Sequence, residues 1–403
     1  MDNWQELERK YFMRTFDRLP LMLVKGQGAR VWDDTGREYL DFVAGWAVNS
    51  LGHCHPAVVT AVTEQARTLI QASNQFYTIP QLQLAEVLVK NSCLDKVFFS
   101  NSGAEANEGA AKLARRYGRK YRQGAYEIIT ATGSFHGRTL GMVAATGQSK
   151  FQEPYVPLPS GFVNVEYNNI EAIKAATSSQ TCAVMLEPVQ GEGGVNIPAD
   201  NYLQGVRAWC DRMGILLILD EVQSGIGRLG TLFAYEQYGV EPDVMTLAKG
   251  LASGVPIGAM MAKDKASVFV PGEHGSTFGG NPVACAAGYA TVKYVIDHNL
   301  MANVREVGQY LMAGLQNLKN RYAFVTDVRG RGLLAAMEFS SDIAQSAVMA
   351  CLERGLLVNK LKPNALRFMP PLIIGSKEVD EAMSILDKAL IAVSDQPGSG
   401  HAG

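Results

Sequence analysis

Between residues 96 and 262, short apolar runs alternate with Gly-rich polar turns and then with stretches of helical periodicity. The runs fall at 96–99, 126–130, 183–186, 215–219, 244–247 and 257–262. Most are apolar at consecutive positions. A strand apolar on both faces must be covered on both, which predicts a mainly parallel sheet covered by helices. Strand and helix in alternation imply an α/β domain with right-handed crossovers. Beyond about residue 295 the pattern changes to amphipathic helices with strand-like runs at 332–338 and 356–359, the texture of a smaller α+β domain. Near the start, Gly26 and Gly28 precede the run at 30–34, and Thr35 and Gly36 supply turn chemistry, so a small hairpin is expected. The expected division is an N-terminal segment (1–55) packed with the small domain, a large domain (56–295), a small C-terminal domain (296–393) and a disordered tail (394–403).

In an open α/β sheet, ligands collect beyond the carboxyl ends of the strands. Five of the runs lead into unusual segments: Ser-Asn-Ser-Gly-Ala-Glu (100–105), Gly-Ser-Phe-His-Gly-Arg (133–138), Glu-Pro-Val-Gln-Gly-Glu-Gly-Gly (187–194), Asp-Glu-Val-Gln-Ser-Gly (220–225) and Ala-Lys-Gly (248–250). One such turn means little, but five directed at one rim describe a site.

Composition narrows the reading. A chain of 403 residues exceeds one ordinary core, which agrees with two domains. With 37 basic and 39 acidic side chains, no global field favours nucleic acid or an anionic membrane, so neither is an expected partner. The N-terminal residues lack the basic and apolar regions of a signal peptide, and no apolar stretch is long enough to span a bilayer. The six cysteines form no CxxC pair, so a reducing, cytoplasmic setting is expected.

Lys249 leaves an apolar strand. Desolvation there lowers a lysine pKa and favours the neutral, nucleophilic amine. A lone lysine is ordinarily a surface residue, and it is the company of Asp220 that changes the reading. Asp220 ends the most apolar run, where a carboxylate must be paired with a cation or a protonated ring nitrogen, unless it merely caps the next helix. Ser102, Gly103 and Ala104 open a helical pattern, and free N–H groups at a helix start suit a phosphate. Thr277 could add a hydroxyl. Phe135 could stack on a flat ring, and Arg138 offers a bidentate fork to a carboxylate.

Other segments carry no such chemistry. His53-Cys54-His55 has no second ligand group of matching spacing, so no metal is expected. Lys112, Arg115, Arg116, Arg119, Lys120 and Arg122 read as a solvated helix face. The Gly191-Glu-Gly-Gly segment lacks the spacing of a dinucleotide fingerprint.

Together these segments resemble the class III (ornithine-type) aminotransferases over about residues 20–390, and within them the acetylornithine branch. The resemblance rests on Tyr-Leu-Asp-Phe-Val-Ala-Gly (39–45), Asn-Ser-Leu-Gly-His-Cys-His-Pro (49–56), Asn-Ser-Gly-Ala-Glu-Ala-Asn (101–107), Phe-His-Gly-Arg-Thr (135–139), Glu-Pro-Val-Gln-Gly-Glu (187–192), Asp-Glu-Val-Gln-Ser-Gly-Ile-Gly-Arg (220–228) and Leu-Ala-Lys-Gly (247–250). It implies a fold-type-I transferase that uses pyridoxal 5'-phosphate and works as a homodimer. Lys249 would carry the cofactor as a Schiff base, and Asp220 would pair with its pyridine nitrogen. Val222 and Phe135 would flank the ring, with Glu221 and Gln223 among the cofactor contacts. Ser102, Gly103 and Ala104 would hold the phosphate, joined by Thr277 from the second subunit. Ser276 would lie near the substrate, and Arg138 would bind its distant carboxylate. Glu192 and Arg367 would form a gate: Glu192 neutralises Arg367 while the amine donor is bound and frees it for the α-carboxylate of glutamate. The implied reaction moves the δ-amino group of N2-acetylornithine to 2-oxoglutarate, in arginine biosynthesis. Ornithine, 4-aminobutyrate or succinylated donors stay open as substrates. An aminomutase and a non-catalytic relative are rival readings, the first needing no gate and the second neither Lys249 nor Asp220.

Overall fold

A computed structural model of the chain describes residues 4–394. Its centre is a seven-stranded sheet in the spatial order Lys96–Ser100, Gly258–Ala262, Val244–Leu247, Leu216–Asp220, Thr181–Leu186, Glu127–Ala131 and Phe162–Val165. The inner strands Thr181–Leu186, Leu216–Asp220 and Val244–Leu247 are buried at every position, which explains their unbroken apolar runs. Gly258–Ala262 pairs antiparallel with both neighbours, and the remaining pairs are parallel. The sheet is therefore mainly parallel, as expected, and every strand but one points its carboxyl end at the same rim.

The helix Gly103–Tyr121 crosses one face of this sheet. Its start is fixed by Ser102, an extended N-cap whose hydroxyl accepts from the Glu105 N–H at 3.2 Å. Its small side chains Ala106, Ala110, Ala111 and Ala114 are buried and let the helix pack closely on the strands. The basic residues of this helix are largely engaged within the chain. Arg116 pairs with Glu273 at 2.8 Å, Arg115 donates to the Ser160 carbonyl, and Arg122 donates to the carbonyls of Thr181 and Met213.

A second sheet joins Leu23–Gln27, Arg30–Asp33 and Glu38–Asp41 antiparallel, with Leu356–Leu357 added in parallel to the last. The expected N-terminal hairpin is present, and Gly28, at φ +58°, makes its tight turn. A third sheet, antiparallel, runs Val325–Arg331, Leu334–Phe339, Ala365–Phe368 and Asn359–Lys362, with the helices Leu300–Arg321, Ala344–Glu353 and Ser376–Ser394 packed around it. Ser394 ends the last helix, and the rest of the expected tail lies outside the described residues. Among the described residues no helix is long and apolar enough to cross a membrane. His53 Nε2 meets Asp41 Oδ2 at 2.7 Å, which ties the turn after Leu51 to the N-terminal sheet.

Candidate active site

At the common rim of the central sheet lies a cavity of about 420 Å³. Its wall contains Ser102, Gly103, Ala104, Phe135, Arg138, Glu192, Asp220, Val222, Gln223 and Lys249. These residues come from all five turns singled out in the sequence.

The helix start at Gly103 forms one end. A Cβ built on Gly103 would sit 2.9 Å from Val222 Cγ1, so only glycine lets the helix approach this wall. The first-turn N–H groups of a helix have no partner within it, and the macrodipole makes this end attractive to an anion. The Ser102 hydroxyl is already bound to the Glu105 N–H but keeps an acceptor and a donor.

Asp220, buried, anchors the floor. Its Oδ2 meets His136 Nδ1 at 2.8 Å and accepts from Asn107 Nδ2 at 2.7 Å, while Oδ1 accepts from the Val222 N–H at 3.0 Å. Asn107 also donates to the His136 carbonyl and accepts from Thr246 Oγ1 at 2.6 Å, so helix and strand fix the carboxylate together. Burial disfavours a charged His136, but the bond and charge of Asp220, assisted by Glu187, outweigh it and raise the histidine pKa. Glu187 is pushed up to about 7 by its own burial, despite the opposing His136; its oxygens accept from the N–H groups of Phe135 and Gly191.

Lys249 follows Val244–Leu247 after one residue and holds φ at +34°, a left-handed conformation that costs a non-glycine residue of order 1–3 kcal/mol. Its pKa is lowered to about 8, chiefly by desolvation and secondly by the Arg367 guanidinium; Glu192, Asp220 and Glu187 oppose the shift. The amine is thus held closer to neutrality than an ordinary lysine.

In the cavity wall Glu192 Oε2 accepts from Arg367 Nη2 at 2.8 Å. Arg367 is 1% exposed, whereas the Glu192 side chain is 33% exposed. Burial lowers the Arg367 pKa against the pull of Glu192. For Glu192, burial is outweighed by Arg367 and Lys249, and its pKa falls. Arg367 also donates to Gln223 Oε1 and to Asn359 Oδ1. Arg138, exposed, lies over the Phe151 ring at 4.0 Å and the Phe135 ring at 5.6 Å.

Four expected residues are not in the cavity wall: Arg367, which is bound to it through Glu192 and Gln223, and Glu221, Ser276 and Thr277. Glu221 turns away from the cavity: its carboxylate accepts from the N–H groups of Ala234 and Tyr235, and burial pushes its pKa up to about 8. It caps the start of the short helix Ala234–Tyr238, so its carboxylate is not part of the cavity wall. Ser276 adjoins the site through a bond from Asn101 Nδ2 at 3.2 Å, and Thr277 lies exposed beyond it. Conversely, His136, Asn107, Glu187 and Asn359 support the site through contacts that no local sequence pattern marks. His136 and Asn107 stood inside quoted motifs, and a histidine in a rim turn of a buried carboxylate was the available signal.

The family model for the class-III aminotransferases matches residues 11–390. This chain belongs to the class-III aminotransferase family. It is 53% identical to the acetylornithine aminotransferase of Caldanaerobacter subterraneus subsp. tengcongensis, over 95% of this chain and 98% of that protein. With the acetylornithine aminotransferase of Methanocaldococcus jannaschii the identity is 49%, over 97% and 99%. Among solved structures, the ornithine aminotransferase of Toxoplasma gondii, described with partial occupancy of pyridoxal phosphate at its active site, superposes with a TM-score of 0.93 at 34% identity, covering 97% of this chain and 94% of that one. The fold-type-I architecture implied by the resemblance and the mainly parallel sheet expected from the apolar runs both agree with this family.

Proposed function

We propose that this protein transfers the δ-amino group of N2-acetylornithine to 2-oxoglutarate with pyridoxal 5'-phosphate as cofactor, yielding N-acetylglutamate semialdehyde and glutamate. The observation that carries the reading is one cavity lined by Lys249, whose pKa is lowered, by the buried Asp220 and by Glu192, which in turn masks Arg367 at 2.8 Å. The relatives at 53% and 49% identity support the choice of donor.

The cavity fits the cofactor. Gly103 leaves room where a side chain would strike Val222, and the helix start beside it favours a phosphate. When bound, the cofactor supplies an electron sink for the pair left as a proton leaves the substrate carbon. The protein does the rest. Lys249 Nζ bonds the cofactor and later moves the proton at the amine-bearing carbon. Asp220, held by His136 and Asn107, keeps the ring nitrogen protonated. Val222 and Phe135 would hold the ring, Gln223 would serve its hydroxyl, and Ser102, Gly103 and Ala104 would bind the phosphate. Ser276 lies beside the substrate. Arg138 takes the carboxylate far from the reacting amine, common to both substrates. Glu192 masks Arg367 for the amine donor and withdraws for glutamate, so one site accepts two different charge patterns.

The reading includes a homodimer in which Thr277 reaches the phosphate of the other subunit, consistent with its exposure outside its own cavity. It also includes a cytoplasmic location, no nucleic-acid or membrane partner, and a division into 1–55, 56–295 and 296–393. Pairing of Glu38–Asp41 with Leu356–Leu357 supports grouping the first and last of these. The test is a panel of amine donors with 2-oxoglutarate, read as glutamate formed. Acetylornithine should give the highest kcat/KM; a higher value for ornithine, 4-aminobutyrate or a succinylated donor would replace the substrate assignment.

A further inference from the structure

We infer that Asn359 is a positioning residue that holds Arg367 in place through both half-reactions, and that its neutrality is what lets the gate work. The inference rests on the proposed role of Arg367 as a carboxylate receptor.

The geometry separates the parts that stay from the part that leaves. Asn359 and Arg367 face each other across neighbouring strands of the C-terminal sheet, in register. Asn359 Oδ1 accepts from Arg367 Nε at 3.1 Å and from Nη2 at 2.9 Å. A guanidinium has only donors, so the oxygen of the amide must be the atom that faces it. Gln223 Oε1 takes Nη1 at 3.1 Å. A Cβ on Gly191 would lie 1.7 Å from that Oε1, so glycine beside Glu192 is what admits Gln223 here. Arg367 is therefore clamped by two uncharged amide oxygens, and among the described residues Glu192 alone forms an ion pair with it, at 2.8 Å.

This arrangement assigns the motion. Withdrawal of Glu192 leaves Arg367 fixed by Asn359 and Gln223, with its full positive charge uncovered. Glu192 moves and Arg367 stays. A carboxylate at position 359 would hold the guanidinium equally well but would neutralise it permanently, and the incoming α-carboxylate would meet a spent charge. An apolar residue there would leave the charge but lose the aim, at the cost of two of the donor contacts that orient the fork.

The test uses the cofactor-loaded protein and two unreactive probes: glutarate, which offers two carboxylates, and pentanoate, which offers one. Dissociation constants are measured by calorimetry for wild type, Asn359→Ala, Asn359→Asp and Arg367→Ala, and single-turnover rates with acetylornithine are followed alongside. Loss of a charge-assisted contact predicts glutarate binding weakened about ten- to a hundredfold in both Asn359 variants, with a smaller loss in pentanoate binding and in the acetylornithine rate. Asn359→Asp, nearly isosteric, guards against a folding defect. Glutarate and pentanoate weakened equally by Asn359→Ala, or glutarate bound normally by Asn359→Asp, would overturn the inference alone. If Arg367→Ala itself failed to distinguish the two probes, the receptor role of Arg367 and this inference would fall together.

Discussion

In the cofactor-free protein, Lys249 should react with aldehydes near neutral pH. Burial, and then the Arg367 guanidinium, bring its pKa down to about 8. Only the neutral amine carries the lone pair that attacks a carbonyl. At pH 7 a group of pKa 8 is neutral in about 9% of molecules, against about 0.04% for an unperturbed lysine near 10.4. The fold thus enriches the attacking form roughly 200-fold. The sign is that of a lowered cationic pKa: the reactive fraction rises with pH up to about 8 and then levels off. Two charges tune it in opposite directions, Arg367 downward and Glu192 upward. Glu192→Gln should therefore move the midpoint below that of the wild type, and Arg367→Ala should move it above. Stopped-flow recombination of the cofactor-free protein with pyridoxal phosphate, from about pH 6 to about pH 10, measures this directly. Below the midpoint the rate should climb about tenfold per pH unit. Titration of the cofactor itself is common to the three proteins and cancels in the comparison. A rate that climbs unbroken past about pH 9.5, or variants that shift the midpoint in the same direction, would refute the electrostatic account.

Other consequences concern single residues. Lys249→Ala should fold yet lose most activity, and borohydride reduction of the wild type should leave the cofactor on Lys249; peptide mapping that finds it on another lysine contradicts the assignment. Asp220→Ala removes one member of a buried pair, a loss of about 3–5 kcal/mol. Expressed wholly in the barrier this is roughly two to four powers of ten in single-turnover rate, and near-normal turnover would exclude the role. Arg367→Ala should slow the glutamate half-reaction roughly ten- to over a hundredfold, from a lost charged contact of about 1.5–3 kcal/mol, and spare the acetylornithine half-reaction. Arg138→Ala should damage both half-reactions, so an effect on one alone would remove it from the shared carboxylate.

The sequence carried the central sheet because burial on both faces forces continuous apolar runs, as at Thr181–Leu186. It did not carry Phe162–Val165, an edge strand in which every residue is only half-buried, so that no such run is required. Nor did it reveal that Gly258–Ala262 runs against its neighbours, because burial sets apolarity and not direction. The rim residues were legible through their turns. Their mutual contacts were not: Asn107 and Asp220 are far apart in the chain and meet only when helix and strand pack. The Asn359–Arg367 pair depends on the register of two strands that no local pattern encodes. Glu221 turns its side chain away although Asp220 and Val222 on either side line the cavity, since a turn after a strand sends neighbouring side chains in different directions. Its carboxylate serves a helix start instead of the cavity.

The central claim is that this site moves an amino group from acetylornithine to 2-oxoglutarate, and isotope transfer measures it. With N2-acetylornithine labelled with nitrogen-15 at the δ position and unlabelled 2-oxoglutarate, the label should appear in the α-amino group of glutamate, one for each aldehyde formed. The Lys249→Ala protein should give neither product. Label retained in a rearranged donor, or glutamate formed without it, would contradict the account.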